Sequence, residues 1–231
     1  MLKSAAKMNL LRAVAALWVA LSLPLEYLLS NGVVGYTSHW ENGKGNVAAA
    51  SHPALIAWSI ASIALLNFLL KVEVDEFPAG VPSGWRRFFA FLIDFWFSIA
   101  ILASLGGIVP LWLESIRTGQ FSWHFERNYS VTSDQTFALP LVLITMALMF
   151  LYFVWPLTKG KQTVGCFIMR LRVAPPFSNR GALTFRAAVR RVWLEFTGMS
   201  SFLLRRNDRD SQGRTWYDRE SDCTVILIKY E

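Results

Sequence analysis

In the stretch RRFFAFLIDFWFSIAIL, Arg86 to Leu102, one side chain is out of keeping with its neighbours: Asp94, a carboxylate inside an apolar run. An aspartate at the centre of a membrane-spanning helix costs about 2.5–3.5 kcal/mol, and less toward the interface. With a helix beginning near Phe88, Asp94 is six residues in, which puts it about 9 Å below the boundary at roughly 1.5 Å per residue. Arg87 lies seven residues earlier on the same helix face. Two turns, about 10–11 Å, is too far for direct pairing. The position one turn before Asp94 is Ala90, so the carboxylate needs a partner from elsewhere. The candidates are Arg190 or Arg191, Lys161, and the amides of the Gly160–Gly165 segment. Two chemistries follow. Asp94 can latch the C-terminal region to the helices, with Arg87 holding a phosphate or Asp218, or it can be a proton or sodium site in a transport path.

The elements that must position these residues are apolar and long. The chain has 231 residues, 54% hydrophobic and 17% charged, with mean hydropathy +0.35. A soluble domain usually carries about 25% charged residues. Four apolar runs, 13–29, 53–70, 88–113 and 137–157, each approach the roughly 20 residues that cross about 30 Å of hydrocarbon. Four such runs leave too little polar sequence to cover them, so the composition implies an all-α polytopic membrane protein with four transmembrane helices. The first run, preceded by Lys3, Lys7 and Arg12, also resembles a secretory signal with Ala20-Leu21-Ser22 as a cleavage site. Because apolar sequence resumes after Pro24, it is read as a retained helix kinked near that proline.

Orientation follows from the positive charges. The N-terminus carries Lys3, Lys7 and Arg12 and the 71–87 loop carries Lys71, Arg86 and Arg87, whereas the 31–52 loop has only Lys44. Both termini are expected in the cytoplasm of a bacterial-type inner membrane. The tail from Thr158 holds fourteen Lys and Arg against seven Asp and Glu, and its charge of +7 equals that of the whole chain. Beside a membrane, such a tail is expected to meet anionic headgroups, with Arg86, Arg170, Arg172 and Arg186 as contacts. No nucleic-acid motif accompanies the charge.

Four domains are expected: a helix hairpin over 1–71, a Pro- and Gly-rich cytoplasmic linker over 72–87, a helix pair over 88–157, and the basic tail 158–231. The 31–52 loop is Gly- and Asn-rich and reads as a flexible turn, with His39 and His52 solvated. FSWHFERNY in the 114–136 loop reads as an amphipathic strip on the outer leaflet. In the tail, FIMRLRV alternates and predicts a strand over 167–173 with Arg170 and Arg172 on its wet face. CTVILIKY predicts a second strand, so that a small two-stranded antiparallel element forms. Between them Phe185, Val189, Val192, Phe196, Met199 and Leu203 make one helical stripe, with Arg186, Arg190 and Arg191 off it. That division predicts an amphipathic helix lying in the interface plane.

Four ordered motifs carry a family resemblance. Arg86-Arg87-Phe88-Phe89-Ala90-Phe91-Leu92-Ile93-Asp94 resembles the opening of the RDD family of membrane proteins. GKQTVGCFIMRLRV, Gly160 to Val173, is similar to that family's GQT-x-GK segment and L-R-V strand. FRAAVRR, Phe185 to Arg191, resembles its arginine-bearing helix, and WYDRESDCTVI, Trp216 to Ile226, its closing aspartate segment. The resemblance covers about residues 79–228 and makes Arg87, Asp94 and Asp218 the family's name residues. With Arg190, Arg191, Gln162 and Thr163 they form the expected polar cluster. The chain departs from the pattern at Lys161, inserted within Gly-Gln-Thr, at Cys166, where the family has lysine, and at Asp222-Cys223, where it has Gly-Thr.

The functional expectation is a non-catalytic docking or accessory subunit for other membrane proteins, with Asp94 as the latch and another membrane protein or self-association as partner. The alternative is a small oligomeric sodium/proton exchanger using Asp94, as suggestions about the family imply. An enzyme is not expected, because no nucleophile elbow, Walker loop, HExxH or kinase signature occurs. Neither a cofactor nor a metal is expected. Cys166 and Cys223 lack CxxC spacing, and Asp208 and Asp210 lie near Arg205, Arg206 and Arg209 as ordinary surface pairs.

Overall fold

The computed structural model describes residues 2–30, 35–41, 44–71, 76–130, 135–176, 181–204, 210 and 214–230. Four long helices fall on the four apolar runs: α1 (Leu2–Ser30), α2 (Pro53–Lys71), α3 (Gly84–Thr118) and α4 (Gln135–Thr158). Pro24 lies inside α1, and Pro110 inside α3. Among the described residues two helices contain stretches long and apolar enough to cross a bilayer, Ala5–Ser22 and Gly84–Thr118, while Pro53–Leu69 and Leu143–Thr158 are shorter apolar helices. The compact units do not follow chain order. One comprises Met1–Trp18, Leu66–Phe95 and Phe150–Glu231, and the other Val19–Leu65 and Trp96–Met149.

In the second unit the loops expected to be irregular form a sheet. Strands β1 (Gly35–Glu41), β2 (Lys44–Ala50) and β4 (His124–Ser130) pair antiparallel in the order β1-β2-β4. The 31–52 turn is therefore a β-hairpin, and FSWHFERNY supplies a strand instead of a surface strip. The side chain of His39 lies outside the described residues. That of His52 accepts the Ala54 amide at 3.2 Å. Among the buried residues of this unit are Ser22, Ser59, Ser62, Ser98 and Ser104. Ser22 donates to Val19 O at 2.6 Å and Ser104 to Ala100 O at 3.1 Å, so these two hydroxyls are satisfied by their own helices.

The first unit holds the rest of the chain. It contains α5 (Val164–Ile168), β5 (Leu171–Ala174), α6 (Phe185–Leu204), α7 (Trp216–Glu220) and β6 (Thr224–Tyr230), together with β3 (Glu76–Gly80). Its sheet has three strands in the order β3-β6-β5, all antiparallel. The two-stranded expectation is corrected here, since the Pro-Gly linker contributes β3 through a register shift between Pro78 and Gly80. FIMRLRV is also corrected. Its first half belongs to α5, Arg170 turns the chain with φ 58°, and only Leu171–Ala174 is strand. Leu171, Val173, Val225 and Ile228 are buried, with Val173 opposite Val225.

Helix α6 carries a three-ring contact. Phe196 meets Phe91 of α3 at 5.2 Å and Phe153 of α4 at 5.1 Å, both edge to face, and Phe91 stacks on Phe153 at 5.6 Å. Such pairs add about 0.5–1.5 kcal/mol each beyond the area buried. The buried face is turned from the expected stripe: Ala188, Arg191 and Val192 are buried, whereas Phe185 and Trp193 are exposed. Arg186 and Arg190 are exposed as expected and Arg191 is not.

Candidate functional site

Two buried carboxylates organise the first unit. Asp94, 2% exposed, faces the start of α5. Thr163 caps that helix, its hydroxyl accepting the Cys166 amide at 3.4 Å. The same hydroxyl donates to Asp94 Oδ2 at 2.5 Å. The Gly165 amide donates to Oδ1 at 2.7 Å, and so does the Tyr152 hydroxyl of α4 at 2.7 Å. Tyr152 in turn accepts the Val164 amide at 3.4 Å. Each hydroxyl is thus oriented by a backbone donor and points its proton at the carboxylate. Gly165 permits the approach, for a Cβ there would sit 2.0 Å from Ala90 O and 2.8 Å from Asp94 Cγ.

The charged candidates for Asp94 do not reach it. Among the described residues neither Lys161 nor Arg190 nor Arg191 bonds to it, and its partners are neutral donors. Of the candidates read from sequence, the amides of the Gly160–Gly165 segment are the ones that serve it. The cations go to the second carboxylate. Asp218 is fully buried and receives Arg87 Nη1 on Oδ2 and Arg191 Nη1 on Oδ1. It also accepts the Thr215 amide at 3.0 Å, tying off the start of α7. Burial works against its charge, but Arg191 and Arg87 with the Thr215 amide outweigh that and hold Asp218 at about 2. Arg191 also donates to Cys223 Sγ at 3.1 Å, and its guanidinium lies 5.5 Å from the Tyr217 ring centre.

The two sites share a local plan. A threonine precedes a five-residue helix, a non-glycine residue with positive φ follows, and a strand begins. Thr163, α5, Arg170 and β5 form the first copy, while Thr215, α7, Asp222 and β6 form the second. The resulting strands pair through their antiparallel ladder. Both threonines, both aspartate-facing turns and both strands could have been set side by side from sequence, but helices this short leave no periodic signal.

The other expected site residues are dispersed. Gln162 is half-buried and its Nε2 has no acceptor among the described residues. Arg190 makes an exposed pair with Glu220 at 2.7 Å. Of the headgroup contacts, Arg86 and Arg186 are exposed. Arg172 donates to Gly160 O at 2.6 Å in a part-buried bond, and Arg170 donates to Asn9 at 3.2 Å in an exposed one. Sequence reasoning missed Tyr152, because a tyrosine near a helix end reads as an interface anchor, and Arg12, which donates to Phe167 O at 3.1 Å and to Ile168 O. Among the described residues no group of three or more His, Cys, Asp and Glu is placed to hold a metal ion. Arg205, Arg206, Asp208 and Arg209 lie outside the described residues. Asp210 pairs with Arg214 at 2.8 Å.

Arg87, Asp94 and Asp218 all lie within residues 81–219, the span that matches the RDD family. The chain belongs to the RDD family. The three residues that the resemblance singles out play two roles: Arg87 and Asp218 pair with each other, while Asp94 takes the neutral donors. The departures of this RDD chain also find their places. Asp222 stands at φ 50°, a conformation free to glycine and tolerated by aspartate. Cys166 lines the space beside Asp94, its thiol pushed up to about 12 by burial and then by Asp94, so it is held as an inert thiol. No curated protein and no solved structure matches the chain.

Proposed function

We propose that this RDD protein is a non-catalytic accessory module that crosses the inner membrane four times with both termini in the cytoplasm, and that it docks other membrane proteins through the region its buried aspartates hold in place. The observation carrying this reading is that both carboxylates take their protein donors from within the chain, Asp94 from Tyr152, Thr163 and Gly165 and Asp218 from two arginines. Donors fixed this way suit a latch. In the latch, α5 and α7 are fastened to α3, and the outward residues Arg86, Arg186, Phe185 and Trp193 are left for anionic lipid or a partner.

A second reading, the small oligomeric sodium/proton exchanger, is favoured by one feature: a cavity of about 30 Å³ reaches Asp94 and Glu195. Reconstitution of the full chain into liposomes separates the two. The accessory reading expects no sodium or proton flux, with Asp94→Asn raising protease sensitivity beyond Leu157. Flux that Asp94→Asn abolishes, in protein that still accumulates and resists protease, would overturn it.

A further inference from the structure

The cavity beside Asp94 contains more unmet hydrogen-bonding capacity than its size suggests. Its charged walls are Arg87, Asp94, Arg191 and Glu195, and two of its apolar walls are Phe91 and Phe153. Arg191 is 3% exposed, and its Nε–H has no acceptor among the described residues. Its Nη2 stands 3.8 Å from Glu195 Oε2, too long for a direct hydrogen bond and suited to a bridging molecule. A group that accepts from Arg191 and donates to carboxylates must be both donor and acceptor. A volume of about 30 Å³ takes about two water molecules and little else. A metal cation is disfavoured, because two guanidiniums share the same walls.

Charge points the same way. Arg87 and Arg191 are balanced by Asp218 and Glu195, leaving Asp94 as the fifth and uncompensated group. From the packed elements the titratable groups facing it are Arg87 on its own helix, Tyr152 on α4, Cys166 on α5, and Arg191 and Glu195 on α6. β5 and β6 present only Leu171, Val173 and Val225. Glu195 is the carboxylate of the set that is partly open, its side chain being 22% exposed. Burial raises its pKa against the pull of Arg191, so it takes up a proton more readily than an ordinary glutamate.

We propose that this cavity is a built water site whose water joins Arg191, Glu195 and Asp94 in one hydrogen-bonded network, through which Glu195 passes a proton to Asp94. The proton leaves the Glu195 carboxyl for a water, and a proton of that water moves to an Asp94 oxygen. No other species is consumed. The inference stands apart from the docking reading, for a latch can be wet or dry.

Radiolytic hydroxyl footprinting of the full chain in lipid nanodiscs tests the water, with no variant required. Phe91 and Phe153 are 6% and 4% exposed and Phe97 is 0% exposed. If water occupies the cavity, Phe91 and Phe153 are oxidised several times faster than Phe97. Rates equal to that of Phe97 would overturn the site. Cys166→Lys, placing an ammonium between the carboxylates, is expected to displace the water and bring both rings down to the Phe97 rate. Unchanged rates in a folded Cys166→Lys protein count against the site. Infrared difference spectra between neutral and acidic pH test the proton link. A carboxyl band lost in Asp94→Asn and shifted in Glu195→Gln supports it, and no such band, or one indifferent to Glu195→Gln, refutes it.

Discussion

The Gly165 amide lies 2.7 Å from Asp94 Oδ1, a contact between helix α3 and the first turn of α5 across seventy-one positions of sequence. It decides how the tail meets the helices, because it is possible only without a side chain at residue 165. Gly165→Ala would need the Ala90 carbonyl, 2.0 Å from the new Cβ, to move away. Overpacking of this kind typically costs about 1–3 kcal/mol, and a backbone carbonyl as the nearest neighbour gives the upper end. A lowered melting midpoint in detergent, with earlier proteolysis after Leu157, is the expected result.

Asp218→Asn should be more harmful than any change at the exposed pair. It leaves two buried guanidiniums without their shared carboxylate, a loss of about 3–5 kcal/mol by analogy with broken buried pairs. Glu220→Gln, which removes the partner of exposed Arg190, should stay within about 0.5 kcal/mol. Chemical denaturation of the two variants gives the comparison directly.

The same residue sets an acid dependence. Its pKa falls on folding from 3.8 to about 2, so its contribution is full above 3.8 and drains away as pH drops through about 2. The wild-type and Asp218→Asn midpoints should therefore differ by a constant amount on the neutral side and converge on acidification through that window. A gap that stays constant down to the lower limit would show that the arginine pairs do not act through this carboxylate.

Arg12 lies outside the family match, yet it holds the carbonyls of Phe167 and Ile168 at the end of α5. Charge-assisted bonds are worth about 1.5–3 kcal/mol, and Arg12→Ala should lose an amount of that order. Arg12→Lys keeps the charge without the fork and should recover part of it. Hydrogen exchange at Met169, whose amide bonds to Gly165 O at 2.9 Å, is the local readout.

Asp222 occupies φ 50°, where glycine carries no steric penalty. Asp222→Gly should therefore stabilise the chain by up to about 1 kcal/mol, and a lowered midpoint would mean the aspartate side chain contributes something the backbone does not explain.

Helix positions were legible because an unbroken apolar run is unambiguous over twenty residues, and 53–70 is recovered as α2 with its ends within a residue. Strands β1, β2 and β3 were not. Gly, Asn and Pro in 31–52 and 72–87 signal turns, and ladder pairing with distant segments overrides that local preference. For Asp94, residue types alone left the 160–165 amides and the arginines as equal candidates. Charge alone could not tell which aspartate the arginines would choose. That depended on Arg191 facing inward on α6, and a stripe drawn through apolar side chains alone puts Arg191 outside. The positive φ at Arg170, which splits FIMRLRV into helix and strand, leaves no trace in residue type.

The sheet order β3-β6-β5 has a bearing on biogenesis. The central strand is the one the ribosome makes last of the three, so its two neighbours must wait, unpaired, while the 49 residues that separate β5 from β6 are still being made. Until then the segment between the second and third helices has no sheet to join. The sheet thus cannot close as its strands emerge, but only once translation has passed Thr224.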